Sequence, residues 1–329
     1  MKKYKICKIL LVILAIFLCV AFYELIGICV AYKKQPEVSN TTKKETKNGS
    51  WNECSENTER AVIIEKNPEA LLQRVRLIKN AKKEIILSTF AFQSDESGKL
   101  ILGALHDAAD RGVHIRLLVD GMESWIDMEG NPYFYGLSSH ENVEIKLYNK
   151  ANPLKPWKMM GRMHDKYLIA DGKRYILGGR NTYNYFLGDF PGHKNYDRDV
   201  LVVCDEPEKE NSVNQLLEYF ETIWEQEDSG YFHDNKKLAN RKSVKNAVLE
   251  LQNGYQKYFE ENKERICDTD YTDETFETEK IALVSNPIHT GSKEPVVWYQ
   301  LGELMKNAKN RVKIHTPYII CNDMMYNTW

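Results

Sequence analysis

The chain has 329 residues, 43% of them hydrophobic and 28% charged, with 45 basic and 47 acidic side chains and a net charge of −2. Such a composition excludes wholesale disorder. The balance of charge excludes a protein held to nucleic acid by bulk positive charge, which needs a basic excess to displace counterions.

The length fits two domains or one large one. From Ile9 to Ala31 every residue is apolar or small except Tyr23 and Glu24. A helix needs about 20 apolar residues to cross a hydrocarbon core. The run outlasts a secretory signal core of about 7–15 residues, and no A-x-A cleavage pattern follows it. Residues 1–32 are therefore expected to be an uncleaved, single-pass N-terminal anchor in the cell membrane. Lys2, Lys3, Lys5 and Lys8 flank one side; Lys33, Lys34, Lys43, Lys44 and Lys47 flank the other. The positive-inside rule thus leaves the side of the membrane open. The seven cysteines show no CxxC and no Cys/His spacing typical of zinc.

Residues 33–60, rich in Lys, Glu, Asn, Thr and Ser, are expected to be a flexible linker. Strands and helices then alternate. Ala61–Glu65 predicts a strand and Pro68–Asn80 a helix with Leu71, Leu72, Val75 and Ile78 at helical spacing. Glu84–Phe92 is β-branched and aromatic, a buried strand. Leu100–Arg111 predicts a helix stopped by Gly112, and Val113–Val119 a strand closed by Asp120-Gly121. Val143–Tyr148, His164–Ala170, Arg174–Leu177 and Asp199–Cys204 predict further strands, the middle two joined by the turn Asp171-Gly172. Glu208–Glu227 is an amphipathic helix, and another spans Val244–Glu261. Lys280–Val284 predicts a strand, Val297–Ala308 a helix and Arg311–Ile319 a strand. This alternation predicts an α/β fold, an α-β-α layered domain on a mixed, largely parallel sheet.

Leu71–Phe92 and Trp298–Ile319 align without gaps. Lys79-Asn80-Ala81-Lys82 matches Lys306-Asn307-Ala308-Lys309, and Gln73, Leu77 and Thr89 match Gln300, Leu304 and Thr316. A second copy of the α/β unit is expected to begin near residue 280. The domain layout is then 61–240 for a first half and 241–329 for a connector and the start of a second.

The sharpest motif runs from His164 to Asn181: H-x-K, four residues, Asp171, six residues, then Gly178-Gly179-x-Asn181. Alternate residues of a strand share a face, so His164 and Lys166 are expected to point together. The glycine pair lets backbone approach a ligand closely. An imidazole, an ammonium and an amide converging on such a site suit a phosphodiester: Lys166, Gly179 and Asn181 would hold its oxygens. His164 would attack phosphorus or protonate the leaving oxygen.

This motif resembles the HKD signature of the phospholipase D superfamily. The segment from Ala81 to Gly121 looks like the first half of bacterial cardiolipin synthases, and the likeness extends over roughly residues 61 to 329. The resemblance implies a covalent phosphohistidine, a second histidine as general acid, and no metal or other cofactor. It implies His164 as nucleophile, Lys166 and Asn181 on phosphate, and Asp171 in the turn, in a salt-bridging more than a chemical role. It also implies a carboxylate on the other nitrogen of His164. Asn195–Val200 resembles the family step that supplies it, nominating Asp199.

The family builds its site from two such motifs, and this sequence has one. A histidine equivalent to His164 in the second copy would fall beyond Trp329, so a truncated chain with little activity as a monomer is expected. A homodimer or a missing second half would supply the second motif. The expected substrate is a phospholipid at the membrane, with no nucleic acid. A phosphodiesterase or nuclease completed by dimerisation is the alternative, and an inactive fragment another. Of the remaining histidines (106, 114, 140, 193, 233, 289, 315), His315 is best placed to approach the site. Asp120 is weighed as a turn former against a functional residue at a strand end. Tyr183, Tyr185 and Phe186 are weighed as an acyl-chain groove against simple packing.

Overall fold

A computed structural model describes residues 2–49, 59–206, 211–233, 235–314, 316 and 326. The chain divides into two units. One comprises residues 1–53, 152–161 and 282–329, the other 54–151 and 162–281.

The first unit opens with α1 (Lys2–Ala31), whose stretch Tyr4–Ala31 is long and apolar enough to cross a membrane and has no buried residue in its most apolar window. A second helix, α2 (Asn40–Asn48), follows, where a flexible linker was expected. Its ends explain it. The Ser39 side chain accepts from the Thr42 N–H, and Gly49, at φ 75°, closes the helix in the left-handed conformation.

The second unit is built on a nine-stranded sheet. Its elements are β1 (Arg60–Ile64), α3 (Asn67–Asn80), β2 (Glu84–Thr89), α4 (Glu96–Asp110), β3 (His114–Asp120), α5 (Glu123–Asp127), α6 (Pro132–Ser138) and β4 (Val143–Tyr148). Next come β5 (Tyr167–Ala170), β6 (Arg174–Gly178), β7 (Asp199–Val203), α7 (Ser212–Trp224), β8 (Ser229–Tyr231), α8 (Lys242–Glu261), α9 (Lys263–Cys267) and β9 (Phe276–Glu277). The strand order is β8-β4-β3-β2-β5-β6-β7-β1-β9. The sheet is mixed, but only β2–β3 and β3–β4 pair in parallel. The other pairs are antiparallel, so the parallel part is narrower than strand–helix alternation suggested. The reason is the β5–β6 hairpin, which enters beside β2 and reverses the direction of the ladder.

Two cores sandwich the sheet, as the alternation of β3 requires. Ile115, Leu117 and Val119 join the core containing Leu102 and Leu105 of α4 and Leu251 and Tyr255 of α8. On the opposite face, Arg116 lies over the rings of Phe220 and Trp224 of α7, and Tyr167 of β5 packs edge-on against Phe220. The result is an α-β-α layered domain.

The last helix, α10 (Val296–Lys306), returns to the first unit. It corresponds to the helix of the repeat. The strands expected around it are not formed: 280–284 is irregular, and so are 311–314. Residues 315 and 317–319, with His315 among them, lie outside the described residues.

Candidate active site

The motif enters the sheet by an extended segment, and the strand itself begins only at Tyr167. His164 and Lys166 therefore stand just before β5, three residues and one residue short of it. They retain the alternation expected of them. The His164 ring packs on Phe90 with centroids 4.6 Å apart, and the Lys166 ammonium lies 5.3 Å from the same ring. Asp165, between them, faces α7 and accepts a 2.7 Å hydrogen bond from the Tyr219 hydroxyl. Lys166 is buried, and its ammonium donates to the carbonyl of His164.

Asn181 reaches the same place from β6. Thr182 makes an isolated bridge with Phe92, and the Thr182 N–H bonds the Ala91 carbonyl at 3.1 Å. The Asn181 side-chain oxygen accepts from the Ala91 N–H at 3.2 Å, so the amide is fixed beside the loop carrying Phe90. Its other partner is the phenol of Tyr183. His164, Lys166 and Asn181 thus meet at the carboxyl ends of β2 and β3, where ligands of open α/β sheets bind.

Burial shifts both charged groups toward neutrality. The Lys166 ammonium is pulled down to about 8, mainly by desolvation and in part against the pull of Asp165, Asp197 and Asp120. His164 keeps an open side to solvent, yet enclosure by its neighbours and then the charge of Lys166 push its imidazole below the usual histidine value. The shift favours the neutral imidazole, the form in which it can act as a nucleophile.

Asp120 is placed here by a different logic. Its carboxylate is fully buried at the end of β3. It accepts from the Met122 N–H at 2.9 Å and the Met163 N–H at 3.0 Å, and pairs with Arg162 Nε at 3.1 Å. It is a turn former that also pins the backbone next to His164.

Three expectations need correction. Asp171 sits at the far end of β5, with φ 56°. Its carboxylate accepts from the N–H groups of Lys82, Lys83 and Glu84 at 2.7–3.2 Å, so it ties the hairpin to the start of β2 through backbone hydrogen bonds, and among the described residues it makes no salt bridge. Asp199 does not face His164 either. It is buried between Arg74 at 2.9 Å and Arg180 at 3.2 Å. The glycine pair, expected to admit a ligand, makes room for carboxylates instead: a Cβ on Gly178 would collide with Asp199, and one on Gly179 with Asp197.

The carboxylate that acts on Lys166 from this segment is Asp197, not Asp199. Sequence reasoning missed it because the two stand two residues apart in one segment. Strand β7 starts between them, and the pattern does not mark where. Phe90 was also missed; its only signal was its place at the end of the β2 run.

Residues 74–224 match the family model described as "Cardiolipin synthase, PLD-like domain". An uncharacterized protein of Helicobacter pylori (strain J99) is 28% identical over 292 residues, covering 79% of this chain and 54% of that protein. Cardiolipin synthase C of Escherichia coli (strain K12) is 29% identical over 171 residues, covering 48% of this chain and 34% of the synthase. Among solved structures, the phosphatidylserine synthase of Haemophilus influenzae Rd KW20 overlays with a TM-score of 0.44 at 15% identity, covering 75% of this chain and 52% of that one. Residues 74–224 are thus a phospholipase D-like domain, similar to that of the cardiolipin synthases. The chain spans about half the length of the Helicobacter pylori relative.

Proposed function

We propose that the protein is a membrane-anchored phosphatidyltransferase or phosphodiesterase, similar to cardiolipin synthases, that cleaves a phospholipid phosphodiester through a phosphohistidine on His164. The observation that carries this reading is the placement of His164 and Lys166 against the Phe90 ring, with the Asn181 amide on the neighbouring Ala91 N–H, at the carboxyl-terminal end of β2.

In this reading Lys166 and the Asn181 amide hold the non-bridging oxygens, most strongly as charge develops on them. The neutral imidazole of His164 forms a bond to phosphorus as the bond to the leaving alcohol breaks. That alkoxide takes a proton from a second histidine. Water, glycerol or a second phospholipid such as phosphatidylglycerol then attacks phosphorus and frees His164. The second histidine comes from a second copy of the chain or from residues beyond Trp329, because this sequence holds a single H-x-K-x4-D.

One feature favours lipid over nucleic acid: the stretch Tyr4–Ala31 would hold the site at a bilayer. The test is turnover of phosphatidylglycerol vesicles by the full-length chain at rising protein density. Turnover that climbs with density and vanishes in His164→Ala is expected. Turnover that survives in His164→Ala overturns the nucleophile assignment.

A further inference from the structure

At the opposite edge of the sheet, before the starts of β3 and β4, a cavity of about 460 Å³ opens between α4, α6, α8 and the short 3₁₀ helix Lys236–Asn240. Its walls are Gly136, Val244, Val248 and Leu249. Leu249 is 57% exposed although it borders this apolar space. Its polar end carries His106, Ser139, His140 and Lys245.

That polar end is wired into a definite protonation pattern. Asp110 accepts from His106 Nδ1 at 3.1 Å through one oxygen and from His140 Nε2 at 3.2 Å through the other. The Asn142 N–H donates to His140 Nδ1 at 3.1 Å. His140 is thereby fixed as the neutral Nε2–H tautomer, with both nitrogens used. His106 donates from Nδ1, and its Nε2 has no hydrogen-bond partner among the described residues; the side chain is 9% exposed and borders the cavity. Among those residues no group of His, Cys, Asp or Glu is arranged to hold a metal ion.

We propose that this cavity binds a monoanionic amphiphile of the medium-chain carboxylate class. The apolar walls take the chain, and the volume falls within the usual range for small-molecule sites. The head accepts from His106 Nε2–H and lies beside the Lys245 ammonium. With Nδ1–H held by Asp110, His106 takes up a proton at Nε2 as the anion binds.

The test titrates decanoate and decanol into the full-length protein while following the ring signals of His106 and His140 by NMR. Decanoate is expected to shift the His106 signal saturably and to bind at least tenfold more tightly than decanol. Lys245→Gln, at an exposed position that leaves folding intact, should weaken decanoate fivefold or more and leave decanol unchanged. Val248→Phe should fill the cavity and abolish both. No saturable shift with either probe overturns the proposal. So does equal affinity for the two, or indifference to Lys245→Gln.

Discussion

Asp197 and Asp199 stand two residues apart and do different work. Asp199 is shared by two buried guanidiniums, Arg74 and Arg180. Arg180 in turn donates to the carbonyls of Ile64, Glu65 and Asp197. Removing one member of a buried ionic group leaves uncompensated charge, which costs about 3–5 kcal/mol. Asp199→Asn is therefore expected to lower unfolding free energy in urea by about that much, with the titration of His164 unchanged in the protein that still folds. Asp197 acts on Lys166 through space. Asp197→Asn should instead leave stability nearly intact and lower the Lys166 titration further below about 8. A large stability loss in Asp197→Asn, or a moved His164 titration in Asp199→Asn, would reverse these roles.

At the scale of elements, the β5–β6 hairpin does most to position the site. Asp171 anchors it by accepting three backbone N–H groups at the start of β2. Losing hydrogen bonds to a charged acceptor costs about 1.5–3 kcal/mol. Asp171→Ala should destabilise the domain by about that amount in thermal unfolding, whereas a loss below 0.5 kcal/mol would contradict the anchoring role. Much of this layer was legible in the sequence. The alternation of Ile115, Leu117 and Val119, the helical spacing of Leu71, Leu72, Val75 and Ile78, and the Asp171-Gly172 turn each reflect local geometry. Local geometry is what residue patterns encode. His164 and Lys166 were legible for the same reason. The partner of Asp199 was not, because it depends on how α3 and the β6–β7 connection pack, a long-range outcome that no spacing records. Of the strands expected at 280–284 and 311–319, the described residues 280–284 and 311–314 are irregular for a related reason. The second matches β2 of the repeat, but a strand needs a neighbouring strand to satisfy its backbone groups, and among the described residues neither segment has one.

Taken whole, the molecule joins an apolar N-terminal helix to a phospholipase D-like domain with one H-x-K-x4-D motif. The anchor reading expects the full-length protein to stay with membranes through alkaline carbonate extraction, and a chain lacking residues 1–32 to be released. Release of the full-length chain would contradict it. The central claim is that His164, Lys166 and Asn181 form a phosphate site, and it can be tested without the second motif. Inorganic phosphate is titrated while the His164 ring signal is followed by NMR across pH. Free His164 should titrate below the usual 6.5. Phosphate should shift its signal saturably and raise that midpoint, and the affinity should fall as pH rises through about 8, where Lys166 loses its proton. Lys166→Gln should weaken binding by roughly 10- to 100-fold, the size of a charge-assisted hydrogen bond. A His164 signal indifferent to phosphate at every pH would contradict the account.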